Sequence, residues 1–478
     1  MLCTMGIFKA KLIKQLSNQI RAHGGRETEM TLISRREVLA GLAASGAASF
    51  TTAFGEERQT APAGDAVLLS SDERKQHAEA LTHYFAANAQ LLLRAPQGFL
   101  KYPSVAPSLP GKAYATSVWD WDTLWTSRGL IALAALQRDE ALKQKVGEHV
   151  SGSLLDFLVN ASPDGQLAIV MGSDNPRSFR ESKNQGKPVF GQMALLACNQ
   201  RGDASWLAPH FDVILRFYDY WTAHNSSQIG LLVWSDDVAI GDDNDPTTFG
   251  RPAYSSANLL LNCLFYQDLL ASAEIATRLG RSADQDRLSS KAKELAKRIQ
   301  TYCWDPRDSY YYTVDVQCVD RRAELIPTVR RGMDMSWKCL PLRIQMFTGF
   351  LPLWCGIATQ QQADELVRVN YLADDRLRAQ SGIRTLSSKE SMYSLAFSSN
   401  PSNWLGPVWI IANYFAWKGL QRYGFEKEAA SLADKTISLL GSDLKVNGSL
   451  NEYYHPDTGA ALSHNGFMDW NLLVLEMI

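Results

Sequence analysis

From residue 65 onward, apolar residues recur at helical spacing, and breaks centred on Gly or polar residues separate runs of similar length. Leu288, Ala292, Leu295, Ile299 and Tyr302 fall at alternating steps of four and three, which lines one face of a helix. Ser282-Ala283-Asp284-Gln285 reads as a capping box at its start. The run before it, about Ser255 to Leu279, stops at Gly280, giving helix, Gly turn, helix. The pattern returns between Trp409 and Tyr423, which stops at Gly424. Next comes a run with Ala429, Leu432, Ala433, Thr436 and Leu440 on one side. Residues 121–158 and 359–372 also carry the helical period. Strand signals are short, as in Tyr310-Tyr311-Tyr312-Thr313-Val314, and read as local hairpins.

Helical hairpins of comparable size thus follow one another over roughly 400 residues, with no strict repeat and no Pro/Ser-rich linker. The expected fold is all-α, a single toroid of paired helices over residues 65–478 with short β-hairpin excursions. In a toroid the loops at one end converge on a central cavity, so the chemistry is expected in those loops.

The first 64 residues read as an address and linker, not as part of the fold. Ser34-Arg35-Arg36-Glu37-Val38-Leu39 is a twin-arginine pattern, followed by an uncharged Ala/Gly-rich stretch from Leu39 to about Phe54. That stretch is too short to anchor in a bilayer. Met30 is a candidate true start, and cleavage after either Ala53-Phe54-Gly55 or Ala61-Pro62-Ala63 fits. The expected partner is the twin-arginine export machinery and the expected location the bacterial periplasm or exterior, with no membrane anchor after processing. The formal net charge is -2 with signs intermixed, which gives no electrostatic argument for nucleic acid or an anionic membrane. Cys198, Cys263, Cys303, Cys318, Cys339 and Cys355 show no Cys-x-x-Cys spacing, so buried thiols are expected instead of a zinc site. No metal or cofactor is expected.

Against this background several loops stand out. Trp234 to Pro246 carries Asp236, Asp237, Asp242, Asp243 and Asp245. A calcium loop, a solvated acidic loop and a catalytic carboxyl kept protonated by like-charged neighbours all remain open. Ser117 to Trp125 alternates Trp and Asp, the pairing that stacks on sugar CH groups and accepts hydroxyl hydrogen bonds. Core packing is the plain alternative for its Trp residues. Asn403 to Trp409 sets Trp404 and Trp409 either side of a Gly-Pro turn, and Arg384 sits among small polar groups. Near the C-terminus, Glu452 is followed by two Tyr residues and a Pro-Asp-Thr-Gly turn. Glycosidic hydrolysis normally needs two carboxyl groups, and Glu452 is a candidate for one of them.

Taken together, these motifs resemble glycoside hydrolase family 63 and its mannosylglycerate hydrolase-like and trehalase-like relatives, over roughly residues 110–475 in family order. Trp121-Asp122-Thr123 is similar to the family's Trp-Asp-Ser/Thr loop. Gly241-Asp242-Asp243-Asn244-Asp245-Pro246 is similar to its Gly-x-Asp-Asn-x-Pro segment. Leu351-Pro352-Leu353 to Ala358 and Gly382-Ile383-Arg384-Thr385-Leu386-Ser387 resemble a further pair of its motifs. Trp404-Leu405-Gly406-Pro407-Val408-Trp409 and Glu452-Tyr453-Tyr454-His455-Pro456-Asp457-Thr458-Gly459 resemble its last two. Leu405 stands where the family often has Arg.

The resemblance implies an (α/α)6 barrel and an inverting hydrolase, with Asp243 as general acid and Glu452 as general base. The substrate implied is an α-linked glucoside or mannoside, either a small oligosaccharide or a glycosyl conjugate. Asp242 and Asp245 are expected to raise the Asp243 pKa. Arg384 or a Trp N–H is expected to keep Glu452 ionised. Trp121, Asp122, Arg384, Trp404 and Trp409 are the expected substrate-binding residues. Two other classes compete. One is a polysaccharide lyase or sugar epimerase on a similar toroid, and the other is a glycan-binding barrel without chemistry.

Overall fold

Long amphipathic and wholly apolar helices alternate along the chain, and that alternation sorts them into two layers. The computed structural model describes residues 69–175, 182–317, 338–373, 375–396 and 402–478, all within the compact unit Pro62–Ile478. The twin-arginine stretch and Cys318 lie outside the described residues. In chain order the helices are α1 (Ser71–Asn88), α2 (Asp120–Gln137), α3 (Glu140–Val159) and α4 (Phe190–Arg201), then α5 (Phe211–Asn225), α6 (Leu259–Arg278) and α7 (Ser282–Cys303). They continue as α8 (Leu351–Cys355), α9 (Gln360–Leu366), α10 (Ile410–Arg422) and α11 (Glu426–Asn447), followed by a 3-10 segment, Trp470–Glu476.

The inner ring closes on itself. The terminal 3-10 segment packs on α2, α2 on α4, α4 on α6, α6 on α8, α8 on α10, and α10 back on the terminal segment. The outer helices follow their inner partners: α3 packs on α2 and α4, α7 on α6, and α11 on α10. Helix α1 packs on α11 and closes the outer layer. This is the (α/α)6 toroid. Inner α6 is buried nearly all round, whereas outer α7 buries one stripe.

Several local expectations shift. Residues 121–158 hold two helices, broken by Arg138 in the left-handed region (φ 52°) and by Asp139, whose carboxylate accepts from Leu142 N at 2.9 Å. Helix α7 begins at Ser282 itself, with no side-chain cap, and its last buried position is Cys303, not Tyr302. Helix α6 starts at Leu259 behind an Asn258 cap, because Ser256–Ala257 pairs as a strand with Val314–Asp315. That pairing is non-local, whereas Trp304–Asp305 with Tyr310–Tyr311 and Arg378–Ala379 with Gly382–Ile383 form local hairpins. Cys198, Cys263, Cys303 and Cys355 are buried free thiols, and Cys339 is half-buried.

Candidate active site

The N-terminal ends of the inner helices gather at one mouth of the toroid, and the loops entering them form the cleft. A short ladder aligns three of these loops. Val408 bridges to Arg384 on one side and to Tyr454 on the other, and Tyr454 bridges to Ala461. The last pairing folds residues 452–463 back across the Pro-Asp-Thr-Gly turn and sets Glu452 opposite Ser463, whose carbonyl accepts from Glu452 N at 3.3 Å. The hairpin is pinned from behind. Tyr454 Oη donates to Asp443 Oδ2 on α11 at 2.9 Å, and Asn451 Nδ2 donates to the same carboxylate at 3.0 Å.

Glu452 is buried. Its Oε2 lies 2.5 Å from His464 Nδ1 and accepts from Ser463 Oγ at 3.4 Å, and the Tyr114 hydroxyl lies close enough to feel its charge. The expected Arg or Trp donor is therefore replaced by His464 and Ser463. The imidazole is held above its ordinary pKa, first by its hydrogen bond to Glu452. Burial and the nearby charges of Glu452, Asp243 and Asp122 push the Tyr114 hydroxyl far up. One phenol thus senses all three carboxyl groups.

The five Asp of the 236–245 loop separate by environment. Asp236 accepts from Lys183 N, Asn184 Nδ2 and Val238 N at 2.5–3.1 Å, and Asp237 accepts from Gly250 N at 2.7 Å, so both brace the loop. Asp245 accepts from Thr247 N, Thr247 Oγ1 and Asn258 Nδ2 at 2.7–2.8 Å. Asp242 is fully buried beside it, and burial followed by the Asp245 charge holds it protonated, well above the usual carboxylate range. Asp243 is half-buried, as Asp236 and Asp237 are, and the Ser402 side chain favours its ionised form. Burial raises it to about 6, opposed by Lys187, and the carboxylate that adds to the rise is Glu452. The expected help from Asp242 and Asp245 is not the main cause. Asn244 ties this loop to the Trp404 loop, accepting from Trp404 N at 2.6 Å and donating to Asn403 Oδ1 at 3.1 Å. Gly241 has φ 106°, and a Cβ there would stand 3.0 Å from Lys187 and 3.2 Å from the Trp121 ring.

Below these groups lies a charged floor that the sequence reading named only in part. Burial raises Asp122 to about 7, against a hydrogen bond from Asp469 and the charge of Lys187. Asp469 is pushed far higher by burial and by Asp122, so it carries the proton the two share. Lys187 pairs with Asp120 at 3.0 Å, and its ammonium sits 5.5 Å from the centre of the Trp121 ring.

The aromatic residues divide differently from the expectation. Trp404 and Trp409 stack at 3.9 Å and 12°, with Phe347 stacked on the free side of Trp404 and Tyr453 on that of Trp409. Both indoles are fully buried, with their faces covered. They form the wall behind the cleft and offer no platform to a sugar, which corrects their placement as substrate-binding residues. Trp121 packs edge-on against Trp470 at the floor. The Arg384 guanidinium is already engaged, with Asp457 at 2.5 Å and the carbonyls of Asp375 and Arg378 at 2.7 and 2.6 Å. It braces the 452–459 hairpin.

The family model described as the mannosylglycerate hydrolase MGH1-like glycoside hydrolase domain matches residues 116–468. The chain belongs to this family of glycoside hydrolases. Mannosylglycerate hydrolase MGH1 of Selaginella moellendorffii is 30% identical over 124 residues, which cover 26% of this chain and 22% of that protein. A mannosylglycerate hydrolase of Rubrobacter radiotolerans is 30% identical over 241 residues, 48% of each chain. The matched stretches therefore span between about a fifth and a half of these relatives. The fold agreement is broader. The family 63 mannosylglycerate hydrolase of Thermus thermophilus, solved in complex with glucose, superimposes with a TM-score of 0.57 at 18% identity, covering 84% of this chain and 98% of that one.

Proposed function

We propose that the protein is an exported inverting glycoside hydrolase, with Asp243 as general acid and Glu452 as general base. Its substrate would be an α-linked glucoside or mannoside, either a small oligosaccharide or a glycosyl conjugate. One observation carries the reading: two carboxyls at the same cleft are prepared in opposite ways. Asp243 is raised to about 6 and faces the cleft as a proton donor. Glu452 accepts hydrogen bonds from His464 and Ser463, a setting that holds its carboxylate as an acceptor. In turnover Asp243 gives its proton to the glycosidic oxygen as the C–O bond breaks. Glu452 takes a proton from a water molecule that attacks the anomeric carbon from the opposite face. Asp122, with Trp121 beside it, would accept hydroxyl hydrogen bonds from the bound sugar.

The names of the relatives and the glucose bound to the Thermus enzyme support a hexose in this pocket. Leu405, in place of a family Arg, argues for testing neutral α-glucosides and α-mannosides alongside glycosyl-glycerates. The twin-arginine stretch supports export to the periplasm or exterior. Arg35→Lys with Arg36→Lys should leave the protein in the cytoplasm, and an unchanged distribution on cell fractionation would contradict export.

Asp243→Asn and Glu452→Gln should each lower turnover by about 10²–10⁴-fold while leaving the unfolding transition in place. Asp237→Asn should stay near the wild type. If Asp243→Asn keeps wild-type turnover, the acid lies elsewhere. Tyr114 and His464 are residue types that abstract carbon-bound protons in lyases and epimerases. An unsaturated or epimerised product would favour that second reading.

A further inference from the structure

We propose that His464 is a positioning residue for the base: it fixes one oxygen of Glu452 and sets a donor that can carry a counter-charge against the carboxylate. The inference rests on the role proposed above for Glu452. Its support is geometric. His464 Nδ1 lies 2.5 Å from Glu452 Oε2, with Ser463 Oγ 3.0 Å from the same nitrogen and 3.4 Å from the same carboxylate oxygen. The hairpin that sets Glu452 opposite Ser463 brings the next residue, His464, onto the carboxylate.

The ring is held from the other side by Tyr114, edge-on at 5.6 Å and 76°. Tyr114 takes φ 67°, a left-handed conformation costly for a bulky residue, while its hydroxyl lies within reach of the Glu452 charge. Strain at the residue that packs on the His464 ring fits a geometry kept for function. The two groups also differ in access to water: the Glu452 side chain is 4% exposed and the His464 side chain 29%. A buried carboxylate cannot rely on solvent to stabilise its charge, and His464 supplies a donor that can carry a counter-charge.

The groups around the imidazole are Glu452 and Ser463 on its own hairpin and Tyr114 from the facing loop. The charges of Glu452, Asp243 and Asp122 act on the Tyr114 hydroxyl, and the Glu452 charge helps to keep Asp469 protonated. Lys112, near in the fold, is occupied by Asn465 at 2.9 Å. A protonated imidazole places a positive charge against the Glu452 carboxylate, and its removal takes that counter-charge away. Activity is then lost first on the acid side of the profile.

The test is the pH dependence of kcat and kcat/KM for His464→Ala and His464→Asn, with Glu452→Gln in parallel, using whichever α-linked glycoside the wild type turns over. His464→Ala should lower kcat by about tenfold or more and move the acid limb toward neutral pH, with KM within about twofold. His464→Asn, whose amide nitrogen overlies Nδ1, should recover much of kcat. If His464→Ala lowers only the melting temperature and leaves the acid limb in place, while Glu452→Gln abolishes turnover, the role of His464 is overturned and the base assignment stands. If Glu452→Gln retains turnover, the base assignment fails, and this inference falls with it.

Discussion

Lys187 Nζ lies 3.0 Å from Asp120 Oδ1 beneath the cleft, and both side chains are withdrawn from water. Asp120 also accepts from Lys187 N at 2.6 Å, so the pair welds the entry of α4 to that of α2. Removing one partner leaves the other as an uncompensated buried charge. Lys187→Met should therefore destabilise the fold by about 3–5 kcal/mol in urea unfolding. The double variant with Asp120→Asn should lose less than the two single losses added together. Lys187 also pulls down Asp243 and Asp122. In the folded fraction of Lys187→Met, the alkaline limb of activity should move to higher pH. A limb that stays in place would mean Lys187 does not act on the acid.

The Phe347–Trp404–Trp409–Tyr453 column predicts a stability role for its Trp residues. Trp404→Ala should cost about 3–5 kcal/mol, and Trp404→Phe should restore most of it with KM little changed. A large rise in KM for Trp404→Phe at wild-type stability would instead mark Trp404 as a sugar platform.

Four desolvated carboxyls set an unusual stability profile. Burial raises Asp122 and Asp156 to about 7 and Asp243 and Asp268 to about 6. An unfolded Asp titrates at about 3.9, so between there and about pH 7 the folded state holds protons that the unfolded chain has released. Their stabilising contribution is fully present below the unfolded value and is lost as pH rises through the folded values. The melting temperature should therefore be higher near pH 5 than near pH 7.5. A flat or rising trend over that interval would contradict the ionisation states assigned to these groups.

The toroid was legible because alternating one-sided and all-round apolar helices leave a periodic trace in sequence. The helix breaks at Arg138 and Ser256 were not, since a left-handed residue and a non-local strand pair have no such period. At the site, Glu452 and the Asp loop stood out because their chemistry is concentrated in a few adjacent residues. Lys187 and Asp469 act from other loops and become visible only when the ring closes. His464 had a readable signal: a hairpin across Pro-Asp-Thr-Gly pairs Glu452 with Ser463, and His464 follows. Trp404 and Trp409 misled for a physical reason. Sequence shows which aromatics cluster, but not whether a ring face is left open.

The most direct test of the central claim is the anomeric configuration of the first-formed sugar, followed by ¹H NMR during hydrolysis of an α-linked glucoside or mannoside. Action by Asp243 and Glu452 on opposite faces predicts initial release of the β-anomer, followed by slow mutarotation. Initial release of the α-anomer would mean retention and would contradict the roles given to both carboxyls.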